Sequence, residues 1–478
     1  MKLLLLTVGL FCSVHAHLQV SQLEKYAQYI DSAELKKHLV ELAGNEYMGR
    51  ETGKAGQQKA AEYIAGVFQS NGLQKMPGLK TWEQFFDVTE SQPDGRLAIK
   101  GKSLLFRKDF FYLDSKRPVT IGEEPVVFDL ESNGVLLKKL IGFDVRSEIK
   151  QLKQTPHKAI ILITDNYADL VEYFDHMISN NSMRLVDGPQ REECPVIIVD
   201  SKSCSAMLEK LVKFDDKTGL AKPRLKKPLE VSFSLNTQTQ VLKSSNVLAF
   251  IPGSDSLLKK ELVVITAHYD HIGVQNGEVF NGADDDGSGT VAVLEIAQAF
   301  SQAFKDGKGP KRSMLFMTVS GEEKGLLGSS YYASHPLWPL SETVTDLNID
   351  MIGRRDIAHE QTANYIYIIG SNMLSSKLHE LNEQANNTVS HLVLDYRFNS
   401  TTDPNQFYYR SDHYNFAKND IPSIFFFSGV HDDYHQPTDD VEKIEFGKTE
   451  KIARLVFATA WLVANASERP AVDQKSNN

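Results

Sequence analysis

Four strand-like runs in the second half of the chain, three of them largely apolar, stop at clusters of histidine and carboxylate, and no other feature constrains the fold as much. Residues 261–267 (ELVVITA) lead into His268, Asp270 and His271, and residues 313–319 (SMLFMTV) into Glu322 and Glu323. Residues 345–349 (TDLNI) lead into Asp350, and residues 421–428 (IPSIFFFS) precede Asp432, Asp433 and His435. A fifth cluster, Asp284, Asp285 and Asp286, lies in a glycine-containing loop between the first two runs. Short apolar runs without polar alternation fit strands buried on both faces, as in a parallel sheet. Residues 287–304 between them carry helical spacing. The alternation predicts an α/β fold: a mostly parallel central sheet with helices on both faces. In such sheets, side chains at the strand ends gather along one edge, where ligands bind.

Carboxylates crowded at one edge repel each other unless protonated or bound to cations. Imidazole mixed with carboxylate favours zinc or a similar first-row metal, whereas an all-oxygen set would favour calcium or magnesium. Each cluster alone has an ordinary reading. The aspartates before Gly287 would serve as a turn and helix cap. Glu322 and Glu323 would make a solvated loop, and His431 and His435 would be surface or satisfied core histidines. Five such clusters, four at successive strand ends and one in the loop between the first two, are not explained by separate structural roles, and together they predict a metal centre.

A chain of 478 residues accommodates two or three domains. Residues 17–111, with helical spacing at 32–42 and 56–72 and a strand at 82–88, read as the first part of the metal-bearing domain. Residues 112–242 change character: β-like runs at 125–129, 159–164 and 195–200 alternate with helical pieces. They read as an inserted, smaller α/β domain. Within it, residues 222–228 (KPRLKKP) read as a solvated surface connection. Residues 243–478 resume the first domain and carry the metal site. The net charge of −10 is spread along the chain with no basic stripe, which speaks against a nucleic-acid partner.

The opening residues, MKLLLLTVGLFCSVHA, have a cation at Lys2, an apolar stretch at 3–14 and a small-x-small site at Val14 to Ala16. This predicts a signal peptide over 1–16 and a secreted or periplasmic protein. The stretch is shorter than the roughly 20 residues of an integral membrane span. After cleavage only Cys194 and Cys204 remain, and export makes a disulfide possible if their geometry allows it. Asn180, Asn386, Asn399 and Asn465 sit in glycosylation patterns.

These motifs, over residues 245–445, resemble the co-catalytic di-zinc aminopeptidase family that includes secreted bacterial leucyl aminopeptidases and glutamate carboxypeptidase. Residues 48–56 (MGRETGKAG) are similar to that family's opening segment. The middle domain is similar to a protease-associated domain, though it has no sharp motif. The resemblance implies two Zn2+ ions. His268 and Asp350 would complete one site, Glu323 and His435 the other. Asp285, the second residue after Gly-Ala, would bridge them. Glu322 would be the general base, and Asp270 would orient His268. Tyr408 is the candidate hydroxyl for the oxyanion, with Tyr409 close behind it. Asp412 and His413 match a segment lining the family's site. Arg354, Arg355 and Arg410 lie near motif segments, and any of them is a candidate carboxylate clamp. The function so implied is a zinc-dependent exopeptidase acting on peptides, foremost an aminopeptidase. The alternatives are a carboxypeptidase or dipeptidase on the same fold, a glutaminyl cyclase, and a non-catalytic binding protein.

Overall fold

The computed structural model describes residues 20–474 except 114, 116, 143–144, 175–177, 179–180, 189–193, 225–227 and 237. The segment 1–16 and Asn180 therefore lie outside the described residues. The chain divides into two compact units: one runs to Phe86 and resumes at Lys243, and the other is Asp87–Leu242.

The first junction falls at Asp87, earlier than the expected 112. Gly95–Ile99 pairs with Lys102–Leu105 and with Glu230–Leu235, and Phe110–Leu113 pairs with Val196–Asp200. Glu230–Leu235 and Val196–Asp200 lie far ahead in the chain, so no local change of composition marks the junction. Within Asp87–Leu242, the strands Val119–Val127, Val135–Lys139, Ala159–Thr164 and Val196–Asp200 run parallel. Apolar clusters that include Leu137, Ile161 and Ile197 on one face and Leu136, Ile160 and Ile198 on the other follow the two-residue period of a strand. Part of the predicted loop at 222–228 is a short strand, Ala221–Pro223, paired with Val212–Phe214. Cys204 is a free thiol, and burial pushes it up to about 12.

The other unit is built on a sheet whose strands we number β1 (Gln238–Ile251), β2 (Leu262–His268), β3 (Ser313–Val319), β4 (Thr343–Ile349), β5 (Tyr365–Ile369), β6 (Val393–Asp395) and β7 (Ser423–Phe427). Their spatial order is β6-β5-β7-β4-β2-β3-β1. The central four, β7, β4, β2 and β3, are parallel, while β1 and β5 join antiparallel. Every residue of β2, β3, β4 and β7 is buried; β2, β3 and β7 are mostly apolar, whereas β4 also buries Asp346 and Asn348, which accept from Thr266 Oγ1. Successive side chains go to opposite faces. Val263, Ile265, Met314 and Phe316 join one core with helices α1 (Ser32–Leu42), α2 (Ala55–Ser70), α3 (Gly289–Lys305), α5 (Ser376–Ala385) and α6 (Phe446–Asn465). Val264, Leu315 and Met317 join another with α4 (Leu327–Ser334) and the short helix His413–Ala417. Helix α1 shows why the sequence obeys this plan. Asp31 caps its first amides at Ala33 and Glu34, and Leu35, His38, Leu39 and Leu42 form the buried stripe. Among the described residues no helix is long and apolar enough to cross a membrane.

Candidate metal centre

The parallel strands deliver their polar ends to one edge. β2 ends on His268, Asp350 follows β4, Glu322 and Glu323 follow β3, and the segment after β7 carries His431 to His435. The turn before α3 brings in Asp284, Asp285 and Asp286. Gly282 opens that turn at φ 56°, and a Cβ there would meet the Asp285 carbonyl oxygen at 2.3 Å. Only glycine fits this approach.

Asp285 faces two histidines, one with each oxygen. Its Oδ1 is 3.3 Å from His268 Nε2 and its Oδ2 is 3.2 Å from His435 Nε2. His268 Nε2 is also 3.6 Å from Asp350 Oδ1, and His435 Nε2 is 3.2 Å from Glu323 Oε2. Ligands about 2.0–2.2 Å from a tetrahedral zinc stand roughly 3.3–3.6 Å from one another. The separations are thus those of donors arranged round shared ions. His271 Nδ1 and Nε2, Glu323 Oε1 and His435 Nε2 are buried and lack a well-aligned hydrogen bond, a deficit that a cation at this edge would relieve. The donors fit a divalent first-row ion, and their mixture of nitrogen and oxygen favours zinc over calcium or magnesium.

The neighbouring aspartates are already committed. Asp286 accepts from the backbone amides of His268, Gly289 and Met351. Asp284 accepts from Gly353 at 2.6 Å and faces His431 Nε2 at 3.2 Å. Asp439 in turn accepts from the amides of Asp284 and Asp285, so the turn is held from behind.

The surroundings orient each donor. His268 Nδ1 faces the Asp270 main-chain oxygen at 3.1 Å, with the Asp270 carboxylate farther away at 3.8 Å. That carboxylate instead accepts from Thr52 Oγ1 at 2.7 Å and from the Glu322 amide at 3.2 Å. Asp270 therefore orients His268 largely through its backbone, while its side chain ties the Glu322 segment to the 48–56 loop. Ser411 Oγ donates to Asp350 Oδ2 at 2.7 Å, leaving Oδ1 toward His268. His271 Nδ1 lies 2.8 Å from Glu323 Oε1, leaving Oε2 toward His435. Sequence reasoning assigned neither Ser411 nor His271 a role. His271 stood in the first cluster, and its signal was its place one residue after Asp270.

Charges in this buried patch follow from crowding. Burial alone would lower His268, but Glu322 and Asp350 raise it well above the usual imidazole range. His435 is likewise pushed up to about 10, with Asp285 and Glu323 overcoming its burial. The same histidines hold Asp285 well below the carboxylate range, and His271 and His435 bring Glu323 to about 2. Glu322 goes the other way: burial, then Glu323 and Asp350, raise it well above its ordinary value despite His268. Its carboxylate is 4.0 Å from His268 Nε2.

A cleft with about 370 Å³ of open space is lined by His268, Asp285, Glu322, Glu323, Asp350 and Tyr434. Tyr408 is not among its lining residues. It packs in an aromatic group with Tyr409, His413 and Tyr414, ring centroids 5.2, 5.5 and 6.0 Å away. The hydroxyl in the cleft belongs to Tyr434, next to His435. Burial, then Asp285, Glu323 and Glu322, raise its pKa, so it keeps its proton. Asp412 lies behind the cleft with Oδ1 on Ser329 Oγ, and burial raises it to about 7. His413 is fully buried against Phe425, and that burial lowers it to about 3, so it stays neutral.

Fold and site define a class: an α/β domain with metal-competent donors along the C-terminal edge of a parallel sheet. Residues 246–460 match the model of peptidase family M28. It is 31% identical over 232 residues to a probable leucine aminopeptidase of Arthroderma otae, covering 47% of this chain and 59% of that protein. It is 27% identical over 239 residues to aminopeptidase YwaD of Bacillus subtilis, covering 48% and 47%. The matches thus span about half the length of these relatives. The fold is similar to that of an aminopeptidase from Aneurinibacillus sp. strain AM-1, with TM-score 0.56, 18% identity and coverage of 95% of this chain and 100% of that one. It is also similar to a zinc aminopeptidase from Bacillus subtilis, with TM-score 0.52, 18% identity and coverage of 93% and 98%.

Proposed function

We propose that this protein is a zinc-dependent aminopeptidase holding two ions bridged by Asp285. The observation that carries this reading is the placement of the two Asp285 oxygens, each within 3.3 Å of a different histidine. His268 and Asp350 would hold one ion, and Glu323 and His435 the other. The relatives described as aminopeptidases support the activity. Export, on the strength of residues 1–16, and a protease-associated-like role for the 87–242 unit belong to the same proposal.

When bound, zinc polarises the peptide carbonyl and lowers the pKa of water toward neutrality. Glu322 takes the proton of the attacking water and passes it to the leaving amine. The Tyr434 hydroxyl, kept protonated, donates to the carbonyl oxygen as negative charge develops there. Asp270 and Thr52 keep the Glu322 segment in register, and Ser411 holds the orientation of Asp350.

The test is metal analysis of the purified protein alongside digestion of a peptide library read by mass spectrometry. The expected result is about two zinc per chain, loss of single residues from the amino terminus, and no cleavage after chelation. Full activity in the demetallated protein would reject the proposal.

A further inference from the structure

Three arginines lie near the site motifs, and the structure separates them. Arg354 donates to Asp433 at 2.9 Å, and Arg355 to Glu445 at 2.6 Å. Both are committed to ion pairs outside the cleft. Arg410 lines the cleft itself. Its guanidinium carbon lies 4.9 Å from the centroid of the Phe407 ring, and its Nη2 donates to the Tyr434 hydroxyl at 3.4 Å. Among the described residues no carboxylate pairs with it. The cleft is rich in carboxylates, yet Asp285, Glu323 and Asp350 are turned toward histidines rather than toward this cation.

An exposed arginine is ordinarily a solvated surface group. This one is stacked on an aromatic ring, which restricts the side chain before any ligand arrives. It also shares the cleft with the proposed base and touches the proposed oxyanion donor. The rest of that wall is apolar: Met351, Phe407, Phe425, Phe427 and Val430. A guanidinium fork in such surroundings matches a carboxylate, donating two parallel hydrogen bonds to it and repelling cationic groups at the same place.

We infer that Arg410 reads a carboxylate of the substrate close to the scissile bond. This inference rests on the proposed peptidase reading and narrows it to short or acidic peptides. The carboxylate comes either from the free carboxyl terminus of a dipeptide or from an acidic side chain beside the cleaved bond.

The test uses the zinc-loaded full chain and two substrate pairs: Leu-Ala against Leu-Ala-amide, and Leu-Glu-amide against Leu-Gln-amide. In the unaltered protein, kcat/KM favours the carboxylate member of at least one pair by about tenfold or more, the scale of a charged hydrogen bond. Preference in the first pair alone identifies the terminal carboxylate, and in the second alone the side chain. Arg410→Ala brings the ratio close to one, and Arg410→Lys keeps only part of it. Because the side chain is exposed, these variants leave the fold intact. A second measurement does not need turnover: calorimetric binding of Leu-Ala and Leu-Ala-amide to zinc-loaded Glu322→Gln protein, with and without Arg410→Ala. Stronger binding of the acid that disappears with Arg410→Ala supports the inference even if the unaltered protein cleaves no peptide, in which case the peptidase reading alone fails. Cleavage with equal ratios in the unaltered protein and Arg410→Ala overturns the inference and leaves the peptidase reading standing.

Discussion

Replacing Glu322 by Gln keeps the side-chain shape but removes the proton acceptor. The Glu322→Gln protein should bind zinc normally and lose about 10²–10⁴ in kcat, measured by metal analysis beside steady-state kinetics. Tyr434→Phe should lower kcat by roughly 10²–10³ with little change in KM, whereas Tyr408→Phe should stay within a few-fold of normal. The reverse outcome would restore Tyr408 as the oxyanion donor. The histidines set a pH dependence. In the metal-free protein His435 stays charged up to about 10, and His268 is raised well above its usual range. A coordinating nitrogen must be neutral, so zinc uptake at pH 7.5 should release protons and weaken as the pH falls. Titration calorimetry in buffers of different ionisation enthalpy reads this directly. Without metal, the His435 ion pairs stabilise the fold fully below the ordinary value of 6.5, and this contribution fades as the pH rises through about 10. The Glu323 contribution is present above 4.5 and is lost as the pH falls through about 2. At this scale the residue types were legible in the sequence, because zinc chemistry demands imidazole and carboxylate. The family resemblance singled out Asp285 from its neighbours. The amides held by Asp286 and Asp284 supply the physical reason.

The elements around the site are held by buried polar contacts. Arg50, 1% exposed, donates to the main-chain oxygens of Tyr269, Leu42, Asn281 and Gly282. It fastens the 48–56 loop to the end of β2 and to the turn that presents Asp285. Arg50→Ala would leave those carbonyls without a donor and should cost about 3–5 kcal/mol, read as a lower urea midpoint, together with loss of zinc. The segment after β7 is fixed in the same manner. Tyr365 donates to the Ser428 main-chain oxygen at 2.5 Å, and His431 pairs with Asp284. Asp433 accepts from Arg354 and Lys443. These contacts explain why Tyr434 and His435 arrive at the cleft together. Two glycosylation patterns are also decided by packing. Asn386 uses its amide on both main-chain groups of Leu392, and Asn465 is buried at the end of α6. Neither is available to a modifying enzyme in the folded protein. The β2, β3 and β7 strands were legible as apolar runs, but these cross-links join residues that are distant in sequence and carry no local pattern.

Across the whole molecule, zinc bound at the proposed centre would act as a folding ligand. The donors come from positions 268 to 435 and converge only in the native sheet, so metal binds the folded chain in preference to the unfolded one. Free zinc at 100 times its dissociation constant should add about 2.7 kcal/mol per site, and chelation should lower the melting temperature in scanning calorimetry. A melting temperature indifferent to chelation would show that the donor set is not a metal centre.

The amino-acid sequence by itself determined the sheet and the edge on which the site lies. Unbroken apolar runs must be buried on both faces, and the residues that end them must then share one edge. It also determined the donor types, because each is a property of a single residue. Tertiary structure decided the rest. It put Tyr434 rather than Tyr408 in the cleft, set His271 against Glu323, moved the first junction to Asp87 and left Arg410 without a carboxylate among the described residues. Each of these depends on which distant segments pack together, and no run of neighbouring residues encodes that.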